Sequence, residues 1–505
     1  MTASARIRAA PTAPCRPWPR HMLVQPAWEA MAAGLEHEPT LALLAMWADA
    51  QAVHALFRDD RDGALLPASV PVADQAYPAL SPWRPAAAWF ERAISDLWGH
   101  AARGGRDARP WLDHGSWEVV APLAPRPLAP HPLARPGAPL PAEFLPCEAE
   151  GVDQIPHGPL PPGIAEAGQF RAFARGEQVL RLEARLGYLH KGIAGLMRGK
   201  SPRAAATFAA RLAGDATVAH AIAFARAAEV ACHVATPPRA AALRGVAAEA
   251  ERIAMHLADL DRLARAAGAA LPAARFQWHR EAFLRAGAVA FGHRLMMDVV
   301  VPGGVAIDLA PDGAAVLRAA AATLGRELPE LAGLCAGLSA RLQGVAVVPP
   351  GLAALLAAGG PAGRASGSAG DLRRAPGYRP YHDLNVVSAS ADAASGDAAA
   401  RLSVRLAELR ESCRLLRTLL ADLPEGILLA ALPMVSAEGI GWAEGPRGDI
   451  WTWLRLEGGQ VASAFPRDPG WLHLPLLEQA MRTTGLSDLG IALASFSLSH
   501  AGMDQ

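Results

Sequence analysis

The stretch from Thr236 to Gly268 places the strongest constraint on how this chain folds. Its apolar residues recur at spacings of three and four, at Leu243, Val246, Ala250, Ile253, Leu257, Leu260 and Leu263. This period predicts one long α-helix with a buried stripe. Charged residues lie opposite the stripe, at Arg244, Glu251, Arg252, Asp259 and Arg262. Thr236 is predicted to cap the helix, Pro237 to begin it and Gly268 to end it.

A second long helix is predicted from about Asp397 to Leu420. Its inward positions follow the same period, at Leu402, Leu406, Leu409, Cys413 and Leu416. Cys413 is therefore interpreted as a core residue and not as a reactive thiol. The Gly- and Ala-rich stretch from Gly351 to Gly370 precedes this helix. It is predicted to be a loop that covers a site.

Residues 21–120 are predicted to form a smaller, mixed α/β domain. Pro85–Gly99 has the pattern of a short helix with a wide apolar stripe. Two earlier apolar runs, Leu41–Trp47 and Val53–Phe57, are interpreted as helix-favouring. The sequence thus divides into this unit and a larger one downstream.

Two segments flank the smaller unit. Residues 1–20 are rich in Arg and Ala, contain no acidic residue and are predicted to be poorly ordered. Residues 121–155 are dense in proline, which fixes φ and lacks an amide donor, so an extended linker is predicted there. The larger unit is then expected to span residues 156–505.

The overall composition excludes several classes of protein. Lys and Arg together number 48, as do Asp and Glu, so there is no basic excess for the phosphates of a nucleic acid. The cysteines stand far apart without a CxxC pair, which indicates a reducing compartment. No uninterrupted apolar run reaches the roughly 18–20 residues that a membrane-spanning helix needs. Any association with a membrane is therefore expected to go through partners.

An ordered series of short motifs runs through residues 156–505. It includes Gly187-Tyr188-Leu189-His190-Lys191-Gly192, Glu251-Arg252, Pro302-Gly303-Gly304-Val305, Asp371-Leu372-Arg373 and Glu444-Gly445-Pro446-Arg447-Gly448-Asp449. In this order the motifs resemble the 49-kDa subunit of respiratory complex I and its relatives, the large subunits of membrane-bound nickel–iron hydrogenases. The resemblance implies a large, mainly α-helical domain of the hydrogenase large-subunit type.

The smaller unit carries a resemblance of its own. The run from Pro85 to Gly99 is similar to the signature of the complex I 30-kDa subunit. A 30-kDa-like domain fused ahead of a 49-kDa-like domain is the arrangement of the formate hydrogenlyase large subunits of hydrogenase-3 and hydrogenase-4. The resemblance therefore implies an α+β chain of that branch, with the small α/β domain first.

In those hydrogenases, two CxxC motifs supply four thiolates to a nickel–iron centre, because soft thiolates suit these ions. The resemblance assigns the first pair to Ala213 and Ala216 and the second pair to Ser499 and Gly502. Since no thiolate stands at these positions, we expect no nickel–iron centre and no other cofactor bound by this chain. The family's proton-relay glutamate falls on Ala194, a loss that agrees with loss of the metal.

Complex I implies a quinone site as another use of the same cavity, but its two polar residues are absent as well. The tyrosine position is Gly214, and the loop expected to carry a histidine, Gly158–Gly163, has none. The remaining candidate site residues are Asp215, His220, Asp371, Arg373, Arg447 and Asp449. Each of them is also interpreted as part of a buried ion pair or as a cap that holds the scaffold. His190 is interpreted as a hydrogen-bonded core histidine.

Two functional hypotheses follow from the resemblance. In the first, the chain is a subunit of a membrane-associated oxidoreductase related to complex I or to energy-converting hydrogenases, with the nickel–iron site lost and its cavity structural or repurposed. In the second, it acts on a quinone-like substrate through a partner's iron–sulfur cluster. Both imply an iron–sulfur small subunit, membrane antiporter-like subunits and a peripheral place on the cytoplasmic face of the inner membrane. An active hydrogenase is not expected, and the residues do not decide between a catalytic and a structural role.

Overall fold

The computed structural model describes residues 1–115, 117–125, 128–130, 144–147, 149–160, 166–390 and 394–505. Of residues 128–130 the backbone alone is described. Much of the predicted linker, residues 121–155, lies outside the described residues. Residues 161–163 of the predicted Gly158–Gly163 loop lie outside them too.

The first unit is built on a five-stranded mixed sheet with the strand order β1-β2-β5-β4-β3. The strands are β1 (Thr12–Ala13), β2 (Arg20–Met22), β3 (Leu41–Ala48), β4 (Ala52–Asp59) and β5 (Ala64–Pro71). The prediction that Leu41–Trp47 and Val53–Phe57 favour helix is wrong, because both runs are strands. Every residue of both runs is buried, and a strand covered on both faces has the same continuous apolar sequence as a buried helix.

Three helices accompany this sheet, namely α1 (Ala3–Ala9), α2 (Gln25–Gly34) and α3 (Ala87–Trp98). The prediction of helix within Pro85–Gly99 is confirmed, and Gly99 ends α3 with a φ of +73°. Residues 1–20, predicted to be poorly ordered, instead contain α1, β1 and β2. Their order has a physical cause, since Ala3 and Ile7 are fully buried and the Ser4 hydroxyl donates to Glu38 at 2.5 Å.

Short strand pairs follow in the first unit and at the start of the linker. They are β6 (Ala76–Pro78) with β7 (Ala101–Arg103), and β8 (Val119–Val120) with β9 (Leu128–Pro130). The second unit then opens with an antiparallel sheet of β10 (Asp153–His157), β11 (Gln169–Arg175) and β12 (Gln178–Arg185).

The body of the second unit is mainly helical, as predicted. Its helices are α4 (Ile193–Met197), α5 (Pro202–Ala209), α6 (Thr217–Cys232), α7 (Pro238–Ala266), α8 (Ala270–Phe291), α9 (Gly313–Ala336), α10 (Ser339–Leu342), α11 (Pro350–Leu355), α12 (Gly360–Ala365), α13 (Ala398–Ala421), α14 (Gly470–Ala480), α15 (Leu489–Phe496) and α16 (His500–Asp504). Its strands form a hairpin of β13 (Val300–Val301) and β14 (Gly304–Val305), and an antiparallel sheet of β15 (Ala437–Gly445), β16 (Gly448–Glu457) and β17 (Gln460–Arg467).

Helix α7 forms the centre of this body and packs against α6, α8, α13 and α15. The long helix is confirmed, but Pro237 is its N-cap, whereas the Thr236 hydroxyl donates to Glu229 at 2.9 Å. The charged face predicted opposite the apolar stripe is not exposed: Arg244, Glu251, Arg252 and Asp259 are buried. Surrounded on several sides, α7 buries charge as well as apolar surface, and each buried charge requires a partner.

The stretch predicted as a loop, Gly351–Gly370, contains helices α11 and α12 instead. Its glycines permit close packing, which explains why a Gly-rich sequence is buried here. A Cβ at Gly360, whose φ is +57°, would lie 2.0 Å from the carbonyl oxygen of Arg447, and one at Gly363 would lie 2.0 Å from that of Ala358. Only the lack of a side chain lets α12 approach the β15–β16 hairpin this closely.

The two units share a continuous hydrophobic core. The rings of Trp47, on β3, and Trp453, on β16, lie 5.8 Å apart. Nearby, Arg20 forms an ion pair with Glu438 at 3.0 Å. Among the described helices, none combines the length and the apolar character that crossing a membrane requires.

Candidate functional site: a buried charge cluster at the predicted metal positions

The segment that leads into α6 contains the first pair of predicted ligand positions. Ala213 and Ala216 are buried, and Ala216 is the N-cap of α6 although it has no side-chain acceptor. The Glu251 carboxylate, on α7, accepts instead from the amides of Val218 and Ala219 at 2.6 and 3.0 Å. Because the first amides of a helix have no acceptor within the helix, these hydrogen bonds tie the start of α6 to α7.

His220, in the first turn of α6, pairs with Asp468, which follows β17. Its Nε2 lies 3.0 Å from Oδ2 of Asp468, and both side chains are buried. The other oxygen of Asp468 accepts from the amide of Gly470 at 2.8 Å. Burial opposes the ionisation of Asp468, but the hydrogen bond and charge of His220 outweigh it and hold the pKa of Asp468 below its ordinary value.

Asp468 also lies directly against Gly502, in α16. A Cβ atom at Gly502 would be 2.5 Å from Cγ and 2.6 Å from Oδ2 of Asp468, too close for any side chain. Ser499 caps α16 by accepting from the Gly502 amide at 3.4 Å, and its hydroxyl donates to Glu166 at 3.3 Å. The carboxylate of Asp468 therefore stands where a side chain at position 502 would project.

Arg447, in the turn between β15 and β16, joins this group. We define the central cluster as Asp215, His220, Asp259, Arg447 and Asp468. The Arg447 guanidinium pairs with Asp215 and, at 3.2 Å, with Asp259 on α7. Its charge also acts on Asp468 and lowers the pKa of that carboxyl, after the larger effects of burial and His220. The structure thus brings together three of the six candidates, Asp215, His220 and Arg447.

The four positions that the resemblance assigns to thiolates do not fit a nickel–iron centre. Two are alanine, one is glycine, and the Ser499 hydroxyl is engaged with Glu166. Such ions require thiolate or imidazole donors, and the imidazole of the central cluster is bound to Asp468. Throughout the described residues, no group of three or more His, Cys, Asp or Glu side chains is arranged to hold a metal ion.

The other three candidates belong to different networks. Asp449 accepts from the indole of Trp451 at 2.7 Å and from Arg467 at 2.9 Å. Asp371 and Arg373 pair with each other at 2.7 Å and do not join the central cluster. For these three residues the structure favours the interpretation as buried ion pairs.

A second charged group, which we call the α7–α13 network, surrounds Asp371 and Arg373. Its members are Glu249, Arg252, His256, Arg364, Asp371, Arg373, Glu408 and Glu444. Glu408 is its hub, at 2.5 Å from Arg364 and 2.7 Å from His256. Burial opposes ionisation, but these partners outweigh it and hold the pKa of Glu408 well below its ordinary value.

The sequence-based search missed Asp468, Glu166 and Glu408. For Glu408 a signal was present, since Arg401, Arg405, Glu408 and Ser412 recur at helical spacing. All four are buried, so they form a polar stripe on a packed helix face. For Asp468 and Glu166 no local pattern was present, because their partners come from distant segments.

Comparison with known proteins matches part of the chain to a protein family. Residues 267–438 match the family of the 49-kDa subunit of respiratory-chain NADH dehydrogenase. These residues carry a domain of that family. The matched residues include Asp371, Arg373 and Glu408. All five residues of the central cluster lie outside the match.

Relatives extend the comparison beyond that match. Membrane-bound hydrogenase subunit alpha of Pyrococcus furiosus is 29% identical over 68% of this chain and 85% of its own length. Formate hydrogenlyase subunit 5 of Escherichia coli is 28% identical over 85% of this chain and 77% of its own. A chain of the membrane-bound sulfane sulfur reductase, an archaeal respiratory membrane complex, is 22% identical and superposes with a TM-score of 0.67. The match covers 72% of this chain and 100% of that chain. This last likeness concerns the fold. The resemblance inferred from the motifs is confirmed.

An apolar pocket of about 450 Å³ opens beside the Tyr188–Gly192 motif. Ala194, the predicted relay position, lines it. His190 lines it as well: Nδ1 of His190 lies 2.6 Å from the backbone oxygen of Asp504, and its ring lies 4.6 Å from that of Trp117. The interpretation of His190 as hydrogen-bonded holds, but the residue is only partly buried. Gly214, the predicted tyrosine position, is exposed with open space around it.

Proposed function

We propose that this chain is a subunit of a membrane-associated oxidoreductase related to complex I and to energy-converting hydrogenases, in which an ion cluster has replaced the nickel–iron site. The observation that carries the proposal is the contact between Asp468 and Gly502. A carboxylate fills the place from which a fourth ligand would project, and it is held there by a hydrogen bond from His220 and by the charge of Arg447. The region is packed with protein groups, so its role is structural.

The relatives support the assembly part of the proposal. The match with formate hydrogenlyase subunit 5 spans 85% of the chain and therefore extends into residues before 156. This agrees with a 30-kDa-like domain at residues 21–120, joined by the linker 121–155 to a 49-kDa-like domain at 156–505. The partners we propose are an iron–sulfur small subunit and membrane antiporter-like subunits, with this chain peripheral on the cytoplasmic face of the inner membrane.

In this function the central cluster holds four parts of the fold together. It joins α6, α7, the β15–β16 turn and the segment after β17 by ion pairs that are shielded from solvent. Such pairs hold packed elements in one arrangement, because separating any one leaves a buried charge without a partner. The chain thereby supplies a rigid scaffold through which partner subunits are mechanically linked.

The proposal is tested by purifying the complex through a tag on this chain from native membranes. We expect an iron–sulfur subunit and membrane subunits to co-purify, nickel to be far below one atom per complex, and no hydrogen evolution with a reduced viologen. Stoichiometric nickel, or hydrogen evolution, would contradict the loss of the metal site. Recovery of the chain as a monomer without membrane subunits would contradict its place in such an assembly.

A second function is favoured by the apolar pocket beside His190. Quinones are flat and largely apolar, and they bind in pockets of this size with one or two polar contacts. Nδ1 of His190 donates to the Asp504 carbonyl, and burial lowers the pKa of the ring, so Nε2 is left as an acceptor, one that suits the hydroxyl of the quinol product. Two electrons from a partner's iron–sulfur cluster and two protons would convert the quinone to quinol.

This alternative is tested by filling the pocket. Ala194→Phe is expected to abolish quinone reduction by the complex, whereas Ala319→Phe, on the exposed side of α9, is a matched control that leaves it unchanged. Equal quinone reduction by both variants, with both complexes intact by gel filtration, would remove this pocket from the reaction.

A further inference from the structure

A second pocket, independent of the proposed function, lies between the two units. Its volume is about 580 Å³, which is within the range of small-molecule sites. Trp18 comes from the first unit, Arg226 from α6, Tyr378 and Arg379 from the segment after α12, and Trp442 from β15. We call it the Arg226 pocket.

Arg226 is the unusual member of this pocket. No hydrogen bond or ion pair to its guanidinium exists within the described part of the chain, and its Nε is buried without a partner. The guanidinium is held by aromatic rings alone, at 4.2 Å from the centre of Trp442 and 4.8 Å from that of Tyr378. Burial lowers the pKa of Arg226 to about 10, so the group remains charged at neutral pH. Arg226 is partly buried, and a charge withdrawn from water without an anion is costly, which points to an external partner.

The remaining charges of the pocket are positive. Among its described lining residues the carboxylate is that of Glu229, and Arg244 neutralises it with contacts of 2.5 and 3.1 Å. Arg379 and His382 line the pocket as exposed residues. The pocket therefore keeps a positive excess that attracts an anion.

The walls select for a flat ligand. Trp18 lies 5.0 Å from Trp442, and Tyr378 lies 5.0 Å from Tyr381, so aromatic faces and edges surround the opening. Two of these rings have their polar atoms engaged, since the Trp442 indole donates to the Gly377 carbonyl and the Tyr381 hydroxyl to Glu249. The wall thus offers mainly stacking contacts.

We propose that the Arg226 pocket binds a small anion that carries a flat ring. Its carboxylate or phosphate is held by the forked guanidinium of Arg226, and its ring packs against the aromatic wall. Arg379 and His382 add attraction at the entrance.

Calorimetric titration of the full chain with two matched pairs of probes tests this. The first pair is 2-naphthoate and the neutral 2-naphthamide, and the second is AMP and adenosine. We expect the charged member of at least one pair to bind at least about tenfold more tightly than its neutral partner, as a charge-assisted hydrogen bond implies. A preference in the first pair alone indicates a carboxylate ligand, and one in the second pair alone indicates a phosphate.

Variants locate the binding. Arg226→Gln is expected to remove the tenfold preference, while Arg410→Gln, an exposed arginine outside the pocket, retains it. Should Arg226→Gln fail to fold, Trp18→Leu serves instead and is expected to weaken both members of the preferred pair. Equal affinities within both pairs for the unmodified chain, no binding of any probe, a preference that survives in the Arg226→Gln protein, or unchanged affinities in the Trp18→Leu protein would each overturn the proposal.

Discussion

At the scale of single residues, the contact between Gly502 and Asp468 explains two positions at once. In this packing a side chain at 502 and a carboxylate at 468 exclude each other, because the two would lie within 3 Å. The acid is stable there because His220 donates to it and Arg447 lies nearby. The glycine at 502 and the carboxylate at 468 are therefore one structural feature.

Gly502→Ala is expected to lower the free energy of unfolding by about 1–3 kcal/mol, because the added methyl must displace Asp468. Where a helical glycine has free space around it, the same Gly→Ala change raises the free energy of unfolding. Gly325→Ala, in α9 with nothing near its Cβ, is the control and should raise stability by about 0.5–1 kcal/mol. Urea unfolding followed by circular dichroism measures both. Stabilisation by both substitutions would show that position 502 has room for a side chain.

At the scale of elements, α7 and α13 depart from the usual amphipathic helix. Each presents an apolar stripe together with a buried polar stripe, and the two polar stripes meet in the α7–α13 network. Helices that are buried on several faces have no solvated side for their charges, so the charges pair inside. The arrangement fixes how the two helices lie against each other.

Glu408→Gln is expected to cost about 3 kcal/mol or more of stability, because it leaves Arg364 and Arg252 buried with less compensation. Glu281→Gln removes a carboxylate from the exposed pairs with Arg285 and Arg294 and should change stability far less. Denaturant unfolding at neutral pH compares the two variants. Similar losses in both would mean that the network contributes no more than a surface pair.

The cap of α6 predicts a pH dependence. Burial raises the pKa of Glu251 to about 8, although the amides of Val218 and Ala219 lower it. A carboxyl with a raised folded-state pKa contributes stability fully below its ordinary value, and this is lost as pH rises towards 8. Between pH 5 and pH 8 the free energy of unfolding of the unmodified chain should fall by at least about 1 kcal/mol more than that of the Glu251→Gln variant.

Glu281→Gln is the control for this profile. Arg285 holds the pKa of Glu281 below its ordinary value, so this variant should differ from the unmodified chain only in acid and run parallel to it from pH 5 to pH 8. Parallel curves for Glu251→Gln over the same interval would show that the carboxyl is ionised throughout.

At the scale of the whole molecule, the first unit is part of the core of the second. Trp47 packs on Trp453, and the Arg467 guanidinium donates to the carbonyl of Leu44 at 2.7 Å. Burying these groups at a shared boundary couples the stability of the two units. The two units thus behave as one body.

Calorimetry is therefore expected to show one unfolding transition for the chain. Glu438→Gln, which weakens the pairs with Arg20 and Arg455, should lower the temperature of that single transition and cost about 1–3 kcal/mol. Two resolved transitions, or a shift confined to one of two, would show that the units unfold separately.

Much of the secondary structure and the family could be predicted from local pattern. The apolar periods predicted α7 and α13, and the order of the motifs predicted the family. Both signals are local, because helical periodicity and short motifs depend on residues close together in the sequence. The strands β3 and β4 were mistaken for helix-favouring runs, because burial on both faces removes the alternation that distinguishes a strand. Helices α11 and α12 were missed because glycine there serves packing and not a turn.

The sequence by itself determined that Ala213, Ala216, Ser499 and Gly502 supply no thiolate, since this depends on the chemistry of each side chain alone. What stands in their place was decided only by the tertiary structure. Asp468, Glu166 and Arg447 come from segments far apart in the chain, and they find their partners His220, Ser499 and Asp215 only because folding brings these segments together. Burial and pairing are properties of the packed molecule, which no local pattern contains.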